Sequence, residues 1–418
     1  MIQLKPLRHI VRSQEEELST GDDGIPRERE KDLLLDLPHA LVVSGVRRCG
    51  KSTLLRQLQK KVGGCFFNFE DPRIAGFELR DFSRLEEALE QEHGRHDQYF
   101  FDEIQVVPRW ELFVRSLLDR KRHVVITGSN ASLLSKELGT RLTGRHLRYE
   151  LFPFSFAEFL TFTGREPGTG AFDHYLREGG FPEYLAAKTP EILRELLNDV
   201  VVRDVAVRYG IRNVRKLREM ALFLITNVGK EFSYTSLKKT FDLGSTNSAV
   251  SFISFFEDSY LLFTVPRFAY SLKRQLINPK KAYAIDTGLA TVVSAAFSPD
   301  KGRMLENLAF LGLRRRYQDI FYFRERGECD FLVKEGARIT QAVQVCWEVD
   351  EDTSPREIGG LVEALETVGL REGLILTYDQ EDVLRVGGKT VRLMPLWKWL
   401  LGTGDTKKPP RRAKRSNR

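Results

Sequence analysis

An eight-residue segment of the G-x-x-x-x-G-K-S type is the part of this sequence best suited to do chemistry. It reads Gly-Val-Arg-Arg-Cys-Gly-Lys-Ser at residues 45–52 and is called the phosphate loop below. Its glycines let backbone N–H groups curl around phosphates, Lys51 can reach the β- and γ-phosphates, and the Ser52 hydroxyl can ligate Mg²⁺. The segment predicts binding of ATP and Mg²⁺. The predicted nucleotide-binding residues are Gly45, Val46, Arg47, Arg48, Cys49, Gly50, Lys51, Ser52 and Thr53.

Two adjacent carboxylates, Asp102 and Glu103, follow an apolar run at residues 98–101. In a phosphoryl-transfer site, Asp102 would support Mg²⁺ through water, and Glu103 would orient and polarise the attacking water. The alternative is an acidic cap on the segment that follows. A position at a strand end, about fifty residues after the phosphate loop, favours the catalytic interpretation.

A further apolar run at residues 123–127 ends just before Ser129 and Asn130. The end of this run would place a hydroxyl or an amide near the γ-phosphate and the lytic water. Asn130 is predicted to sense the γ-phosphate, and Ser129 is the other candidate. Asn130 can also cap a helix over residues 131–138.

Several arginines are candidates for stabilising charge in the transition state. Arg141, Arg145 and Arg148 follow the sensor segment, and Arg145 is the predicted catalytic arginine, supplied by the same chain or by a neighbouring subunit. Solvated arginines are the alternative. Arg47 and Arg48, inside the phosphate loop, can contact phosphate or a partner carboxylate, or lie exposed.

The segments that must position these residues alternate between apolar runs and helix-like stretches, which is typical of a parallel α/β sheet. Continuous apolar runs fit strands that are buried on both faces. Strands are predicted at 41–44, 65–69, 98–101, 123–127 and 145–151. Helices are predicted at 51–62, 81–92 and 108–121. The predicted fold class is α/β, with a P-loop NTPase core.

The middle of the chain is predicted to have a different secondary structure. Residues 153–214 have helical spacing of apolar positions, with Ser155 as a predicted helix cap. In residues 215–290, two helices joined by a short turn precede a hairpin, an order that fits a winged-helix module. Its second helix, 245–257, is poor in Lys and Arg, so packing is favoured over reading of DNA. Residues 303–400 read as a second α/β unit.

Composition places the chain among globular, cytoplasmic proteins without a membrane span or signal peptide. The net charge of +7 equals the seven basic side chains of residues 407–418, a tail expected to be disordered. This tail would either touch DNA or acidic surfaces non-specifically or serve only to keep the protein in solution. The four cysteines form no C-x-x-C pair, so neither zinc nor disulfides are expected. Cys49 is either an acidified, redox-sensitive thiol or a small residue tolerated in the loop.

Six segments, taken as a set, resemble the prokaryotic AAA-type ATPases whose C-terminal domain has no characterised function. They lie at 45–52, 67–72, 101–105, 127–130, 151–159 and 179–183. The resemblance implies an AAA-like ATPase core, a winged-helix middle and a C-terminal domain similar to PD-(D/E)xK nucleases. By analogy with other AAA proteins, it also implies oligomers with nucleotide at subunit interfaces.

The implied nuclease chemistry can be checked against the residues. Such a site needs a helix Glu, a strand Asp and then E-x-K on the next strand. Glu306 and Asp330 fit the first two positions, whereas Gln344 and Cys346 stand where Glu and Lys belong. A site without that carboxylate and lysine should bind Mg²⁺ weakly, so the domain is predicted to be an inactive binding platform.

The predicted function is that of a Mg²⁺-dependent ATPase that uses Lys51, Asp102, Glu103, Asn130 and Arg145, with metal ligation by Ser52 and Asp102. Nucleotide state would move the other domains and act on a protein or DNA partner. The alternatives are an ATP-gated nuclease and a non-hydrolysing nucleotide switch in a defence or regulatory assembly. The expected divisions are an extension (1–36), the ATPase core (37–152), a helical lid (153–214), a winged helix (215–290), a nuclease-like domain (303–400) and a basic tail (405–418).

Overall fold

Three β-sheets with flanking helices organise the chain in the computed structural model, which describes residues 2–21, 23–129, 144–294 and 300–402. The first sheet is parallel, with strand order β2-β3-β4-β1-β5. Its strands are β1 (Ala40–Ser44), β2 (Cys65–Asn68), β3 (Gln98–Asp102), β4 (His123–Gly128) and β5 (His146–Glu150). Its helices are α1 (Leu4–Thr20), α2 (Lys51–Val62), α3 (Phe82–His93) and α4 (Trp110–Asp119). The predicted parallel α/β core is confirmed.

Both faces of the first sheet are covered, as its continuous apolar strands require. Because successive side chains of a strand point to opposite faces, Leu41 and Val43 of β1 enter the same apolar cluster as Leu54 of α2. Val42 enters the other cluster, which includes Phe82 of α3. This arrangement leaves the carboxyl ends of the strands as the open edge of the sheet.

The N-terminal segment, predicted as an extension over residues 1–36, contains a helix that packs on the first sheet. Helix α1 buries Leu7, Ile10 and Val11 in the cluster that covers one face of the first sheet. These apolar positions recur at helical spacing within an otherwise polar sequence, so one face packs while the other remains charged. The first α/β unit therefore includes α1.

The middle of the chain begins with helices that run from α5 (Phe156–Thr163) through α6 (Thr169–Glu178), α7 (Pro182–Ala187) and α8 (Pro190–Asp199). The predicted cap of α5 is present: Glu158 N donates to Ser155 Oγ at 3.2 Å, and Ser155 N donates to Glu158 Oε2 at 2.8 Å. Helix α8 continues directly into a π-helical segment, Val200–Val207.

A small antiparallel sheet, with strand order β6-β8-β7, follows. Its elements are α9 (Val214–Thr226), β6 (Glu231–Phe232), α10 (Tyr234–Thr240), α11 (Thr246–Asp258), β7 (Leu262–Pro266), α12 (Leu272–Ile277), β8 (Lys280–Ala284) and α13 (Thr287–Val293). The two helices and the β7–β8 pair lie where the sequence predicts a helix–turn–helix and a hairpin. Membership of the winged-helix class stays a prediction.

The last sheet is mixed and has the strand order β13-β14-β12-β11-β10-β9. Its elements are α14 (Lys301–Arg314), β9 (Asp319–Arg324), β10 (Glu328–Glu335), β11 (Arg338–Val345), α15 (Ser354–Val368), β12 (Glu372–Thr377), β13 (Asp382–Val386), β14 (Lys389–Pro395) and α16 (Leu396–Leu400). Strands β13 and β14 were not predicted. Within the described ranges, no helix has both the length and the apolar character needed to cross a lipid bilayer.

Candidate functional site

The phosphate loop leaves the carboxyl end of β1 and enters α2, and two of its glycines are required by the geometry. A Cβ on Gly45 would lie 2.1 Å from the carbonyl oxygen of Leu151, so any larger residue would clash with the backbone. Gly50, the residue before α2, has φ +99°, a left-handed conformation that side chains disfavour. The loop is therefore shaped by close backbone approach and by left-handed geometry.

Lys51 is buried at the first position of α2, with its ammonium folded over the loop. The Nζ atom donates to the carbonyl oxygens of Gly45 and Val46, both at 3.1 Å, and lies 4.0 Å from Glu103 Oε1. Ser52, the next residue, is exposed. A buried ammonium beside an exposed hydroxyl at a helix N-terminus suits binding of a phosphate and its cation.

Asp102 ends β3, and a hydroxyl from the neighbouring strand joins it to Glu103. Thr127 Oγ1 of β4 donates to Asp102 Oδ1 at 2.5 Å and accepts from the Glu103 backbone N–H at 2.9 Å. Thr127 is fully buried, so this link is shielded from water. The sequence pattern does not assign a role to Thr127, although this residue ends the apolar run that precedes the predicted sensor.

Glu103 has the environment of an acid–base group. Its backbone is left-handed, with φ +50°, and its carboxylate accepts a hydrogen bond from the Gln105 amide. Burial raises the pKa of the Glu103 carboxyl, while Lys51 lowers it and Asp102 raises it further. A carboxyl that holds its proton more tightly than usual is a stronger base once ionised, which suits abstraction of a proton from water.

A cleft of ≈ 550 Å³ lies at the open edge of the first sheet. The cleft brings Arg47, Lys51, Ser52 and Glu103 together. In residues 2–21, 23–129, 144–294 and 300–402, no three His, Cys, Asp or Glu side chains are grouped so as to hold a metal ion. Mg²⁺ is commonly held by one or two protein groups together with substrate phosphates, so Ser52 and Asp102 are sufficient candidates.

The two arginines of the loop contact carboxylates of the middle helices. Arg47 donates from Nε and Nη2 to the two oxygens of Asp204, at 3.2 and 3.0 Å. Arg48, with φ +62°, pairs with Glu183 at 3.1 Å and with Asp199 at 3.6 Å. The sequence left phosphate contact, carboxylate contact and exposure open for these two arginines, and in the structure both contact carboxylates.

Arg145 lies away from the cleft, so it does not fit the prediction of a catalytic arginine supplied by the same chain. Its carbonyl oxygen accepts from Ala40 N at the amino end of β1, and its guanidinium pairs with Asp119 at 2.5 Å. Strand β1 is five residues long, which separates its two ends by roughly 16 Å. Arg145 is therefore too far from this cleft to contact a nucleotide bound there, and its role toward a neighbouring subunit stays a prediction.

Three further predictions have different outcomes. Asn130 and Arg141 lie outside the described residues, whereas Ser129 is buried directly after β4. Cys49 is not an acidified thiol: burial raises its pKa, although Lys51 and Arg27 lower it, and its Sγ lies 3.4 Å from the carbonyl oxygen of Leu151. The alternative, a small residue tolerated in the loop, describes this position.

A second cluster of charges forms between the small sheet and the last sheet. The Lys281 ammonium of β8 contacts Glu306 at 3.0 Å, Glu328 at 2.7 Å and Asp330 at 2.9 Å. Burial and the Asp330 charge raise the pKa of Glu306 to about 7, although Lys281 and Tyr283 lower it. Lys281 was missed because no local pattern associates β8 with residues so much later in the chain.

The remaining nuclease-like positions lie next to this cluster but make other contacts. Gln344 accepts from the Asp330 backbone N–H at 3.0 Å and donates to Glu357 at 2.5 Å. The Cys346 thiol donates to the carbonyl oxygen of Glu348 at 2.7 Å. Glu306 and Asp330 are thus brought together, and the nearby lysine comes from a different part of the chain.

Comparisons with known proteins bear on the first two-thirds of the chain most directly. Residues 38–160 match the family described as "AAA domain", and residues 169–300 match the "Domain of unknown function (DUF8612)". "Uncharacterized protein MJ1544" of Methanocaldococcus jannaschii is 34% identical over 86% of this chain and 88% of its own length. An uncharacterized protein of Haemophilus influenzae is 30% identical over 75% of this chain and 83% of its own length. The Thermotoga maritima RuvB Holliday junction branch migration motor is 15% identical, covers 61% of this chain and 89% of its own, and has a TM-score of 0.29, too low to carry a conclusion.

Proposed function

The chain belongs to the family of these M. jannaschii and H. influenzae proteins, and from its AAA domain we propose that it is a Mg²⁺-dependent ATPase. One observation carries the proposal. Lys51 and Ser52 of the phosphate loop meet Glu103 in a single cleft, and Asp102 precedes Glu103 at the end of β3. Phosphoryl transfer depends mainly on positioning and on charge stabilisation, which this arrangement supplies.

Each residue has a distinct proposed role. Lys51, which now donates to two loop carbonyls, would donate to the β- and γ-phosphates instead, and Ser52 with Asp102 would hold Mg²⁺ directly or through water. Glu103 takes the proton of the attacking water. Mg²⁺ would supply neutralisation of the phosphate charge. Asn130 remains the proposed γ-phosphate sensor, and in a homo-oligomer Arg145 would serve the nucleotide of a neighbouring subunit.

The experiment is a comparison of ATP turnover and ATP binding in matched variants. We expect Lys51→Ala to lose ATP binding, and Glu103→Gln to retain binding while turnover falls by about a hundredfold or more. The controls are Lys61→Ala, an exposed lysine of the same helix, and Glu87→Gln, an exposed carboxylate of α3. Unchanged turnover in both site variants would refute the assignment. Tight ATP binding by the wild type with turnover no faster than that of Glu103→Gln would indicate a non-hydrolysing switch instead.

A metal-dependent nuclease is the second candidate, and one observation favours it. Lys281 supplies a lysine within 3.0 Å of both Glu306 and Asp330, although the sequence lacks one at the expected strand position. Against it, the ammonium occupies the carboxylates that a metal would need. Incubation of the protein with single- and double-stranded DNA and RNA in Mg²⁺ or Mn²⁺ tests the candidate. Cleavage that Asp330→Asn abolishes would support it, and no cleavage would leave the domain as a binding platform.

Nucleotide state is proposed to act on the rest of the molecule, with a protein or nucleic-acid partner as the output. The phosphate loop contacts the middle helices through Arg47 and Arg48. The last residue of β1 does so as well, since Ser44 Oγ lies 2.7 Å from the Tyr260 hydroxyl, just after α11. These contacts support the proposal that nucleotide binding in the phosphate loop changes the position of the middle helices.

A further inference from the structure

Arg47 is placed between the nucleotide cleft and the middle of the chain. It stands two residues after Gly45 in the phosphate loop and lines the cleft that also contains Lys51 and Glu103. Its guanidinium is bound by Asp204, in the π-helical segment Val200–Val207, through two hydrogen bonds of 3.0 and 3.2 Å. Arg47 thus belongs to the loop by sequence and to the middle helices by contact.

The ion pair between Arg47 and Asp204 is well shielded on one side only. The Asp204 side chain is 4% exposed, whereas that of Arg47 is 22% exposed and reaches the cleft. Besides the Asp204 carboxylate, the charges of Glu70 and Glu103 help to hold the pKa of Arg47 above its ordinary value. A cation with this exposure can be contacted from the cleft without opening the core.

Carboxylate and phosphate compete for the same donor geometry. A guanidinium presents a planar fork that binds two oxygens of either group, and its interaction strengthens with the charge of the acceptor. The terminal phosphate of ATP carries more negative charge than one carboxylate. ATP in the cleft would therefore draw Arg47 from Asp204, whereas ADP lacks the group that does so.

We propose that Arg47 is the arginine of this chain that contacts the terminal phosphate, and that it gives up Asp204 when it does so. The proposal rests on the proposed ATPase function and adds a catalytic residue to it. It also adds a link by which the presence of the terminal phosphate changes the contacts of the π-helical segment. Release of Asp204 removes the ion pair between the phosphate loop and the π-helical segment. The segment is thus held in the nucleotide-free and ADP states and loosened in the ATP state.

Asp204 has a separate part in this arrangement as a positioning residue. It fixes the guanidinium at the cleft before nucleotide arrives, so that less side-chain entropy is lost on binding. Without the carboxylate, Arg47 would be free to bind phosphate but would no longer link it to the helix. Loss of the link and loss of the phosphate contact are therefore separable by mutation.

The first arm of the test measures kinetics and affinity in Arg47→Ala, Arg47→Lys and Asp204→Asn, with Arg194→Ala on the exposed face of α8 as the matched control. We expect Arg47→Ala to lower kcat by about tenfold to a thousandfold while ADP affinity stays within about threefold of wild type. Arg47→Lys should recover only part of kcat, because lysine cannot bind two oxygens at once. Wild-type kcat in Arg47→Ala, or an equal loss of ATP and ADP affinity, overturns the catalytic role.

The second arm measures hydrogen exchange of residues 190–207 without nucleotide, with ADP and with a non-hydrolysable ATP analogue. We expect the analogue, but not ADP, to increase exchange in the wild type, and Asp204→Asn to show the increased exchange without nucleotide. Arg47→Ala removes the same ion pair from the other side, so its hydrogen exchange should match that of Asp204→Asn. Agreement between the two variants shows that the effect does not come from a folding defect in one of them. Analogue bound at saturation with unchanged exchange overturns the inference. Absence of any nucleotide binding by the wild type would instead refute the proposed ATPase.

Discussion

At the scale of single residues, Thr127 shows how one hydroxyl can organise two carboxylates. It binds the side chain of Asp102 and the backbone of Glu103, which fixes both residues at the end of β3. A carboxylate that has to hold a hydrated cation benefits from a fixed orientation, because a shift of about 1 Å can cost a hundredfold in rate. Thr127 is therefore a positioning residue of the candidate site.

We expect Thr127→Val, which keeps the shape but removes the hydroxyl, to lower kcat by about tenfold to a hundredfold. Loss of the donor leaves the buried Asp102 oxygen without this partner and frees the Glu103 backbone. ATP binding in the absence of Mg²⁺ should change by less than about threefold, because Lys51 and the loop amides remain. Thr127→Ser restores the hydroxyl and should recover most of kcat. Steady-state kinetics and nucleotide titration measure both quantities, and wild-type kcat in Thr127→Val would contradict the role.

At the scale of elements, the start of α5 joins local helix chemistry to the phosphate loop. Ser155 and Glu158 form a reciprocal cap, and Glu158 also pairs with the buried Arg27 at 3.0 Å. Arg27 in turn donates to the carbonyl oxygens of Cys49 at 2.9 Å and Phe152 at 2.6 Å. The cap therefore stabilises the start of α5 and, through Arg27, also contacts the phosphate loop at Cys49.

We expect Ser155→Ala to lower the free energy of unfolding by about 1–2 kcal/mol, since a lost helix cap costs about that much. The Ser155 hydroxyl also donates to Glu28 at 2.8 Å, which places the loss toward the upper end of this range. Chemical denaturation measures it, with Ser83→Ala, at an exposed position of α3, as the control. A change no larger than that of the control would show that the cap contributes no stability.

At the scale of the whole molecule, Lys281 links the small sheet to the last sheet. Its ammonium is nearly inaccessible and meets three carboxylates, so the cluster holds more negative than positive charge. Burial, together with the negative charge of Asp330, raises the pKa of Glu306 to about 7. The junction between these sheets is therefore sensitive to proton concentration.

The sign of the pH effect follows from the raised pKa of Glu306. Between the ordinary pKa of 4.5 and about 7, the unfolded chain has lost the proton while the folded chain keeps it. Wild-type stability relative to Glu306→Gln should therefore be highest below pH 4.5 and fall as pH rises through about 7. We expect a total change of roughly 3 kcal/mol, because the pKa rises from 4.5 to about 7 and one pKa unit corresponds to about 1.4 kcal/mol.

Denaturation of wild type and Glu306→Gln at a series of pH values between 5 and 8 measures this difference. Glu325→Gln, at an exposed carboxylate that pairs with Arg267 just after β9, is the control for a general charge effect. A stability difference between wild type and Glu306→Gln that stays constant across the range would contradict the coupling.

Elements with strong local signals were predictable. The helices predicted at 51–62 and 81–92 match α2 and α3 to within one residue, because apolar spacing and a following glycine mark them. Strand β13 was missed because its residues are mostly exposed and follow no buried pattern, and pairing with β14 is what makes it a strand. The burial of α1 was missed for a related reason. Its apolar residues lie among many charged ones, and their burial depends on the face of the first sheet against which they pack.

The sequence by itself determined the phosphate loop, the two carboxylates at the end of β3 and the parallel sheet, because backbone geometry and strand burial depend on neighbouring residues. Only the tertiary structure decided where long side chains find their partners. Arg47 reaches Asp204 across 157 positions and Lys281 reaches Asp330 across 49, while Arg145 is carried to the far end of the sheet. Contacts over such separations depend on how elements pack, and a motif contains no record of that packing.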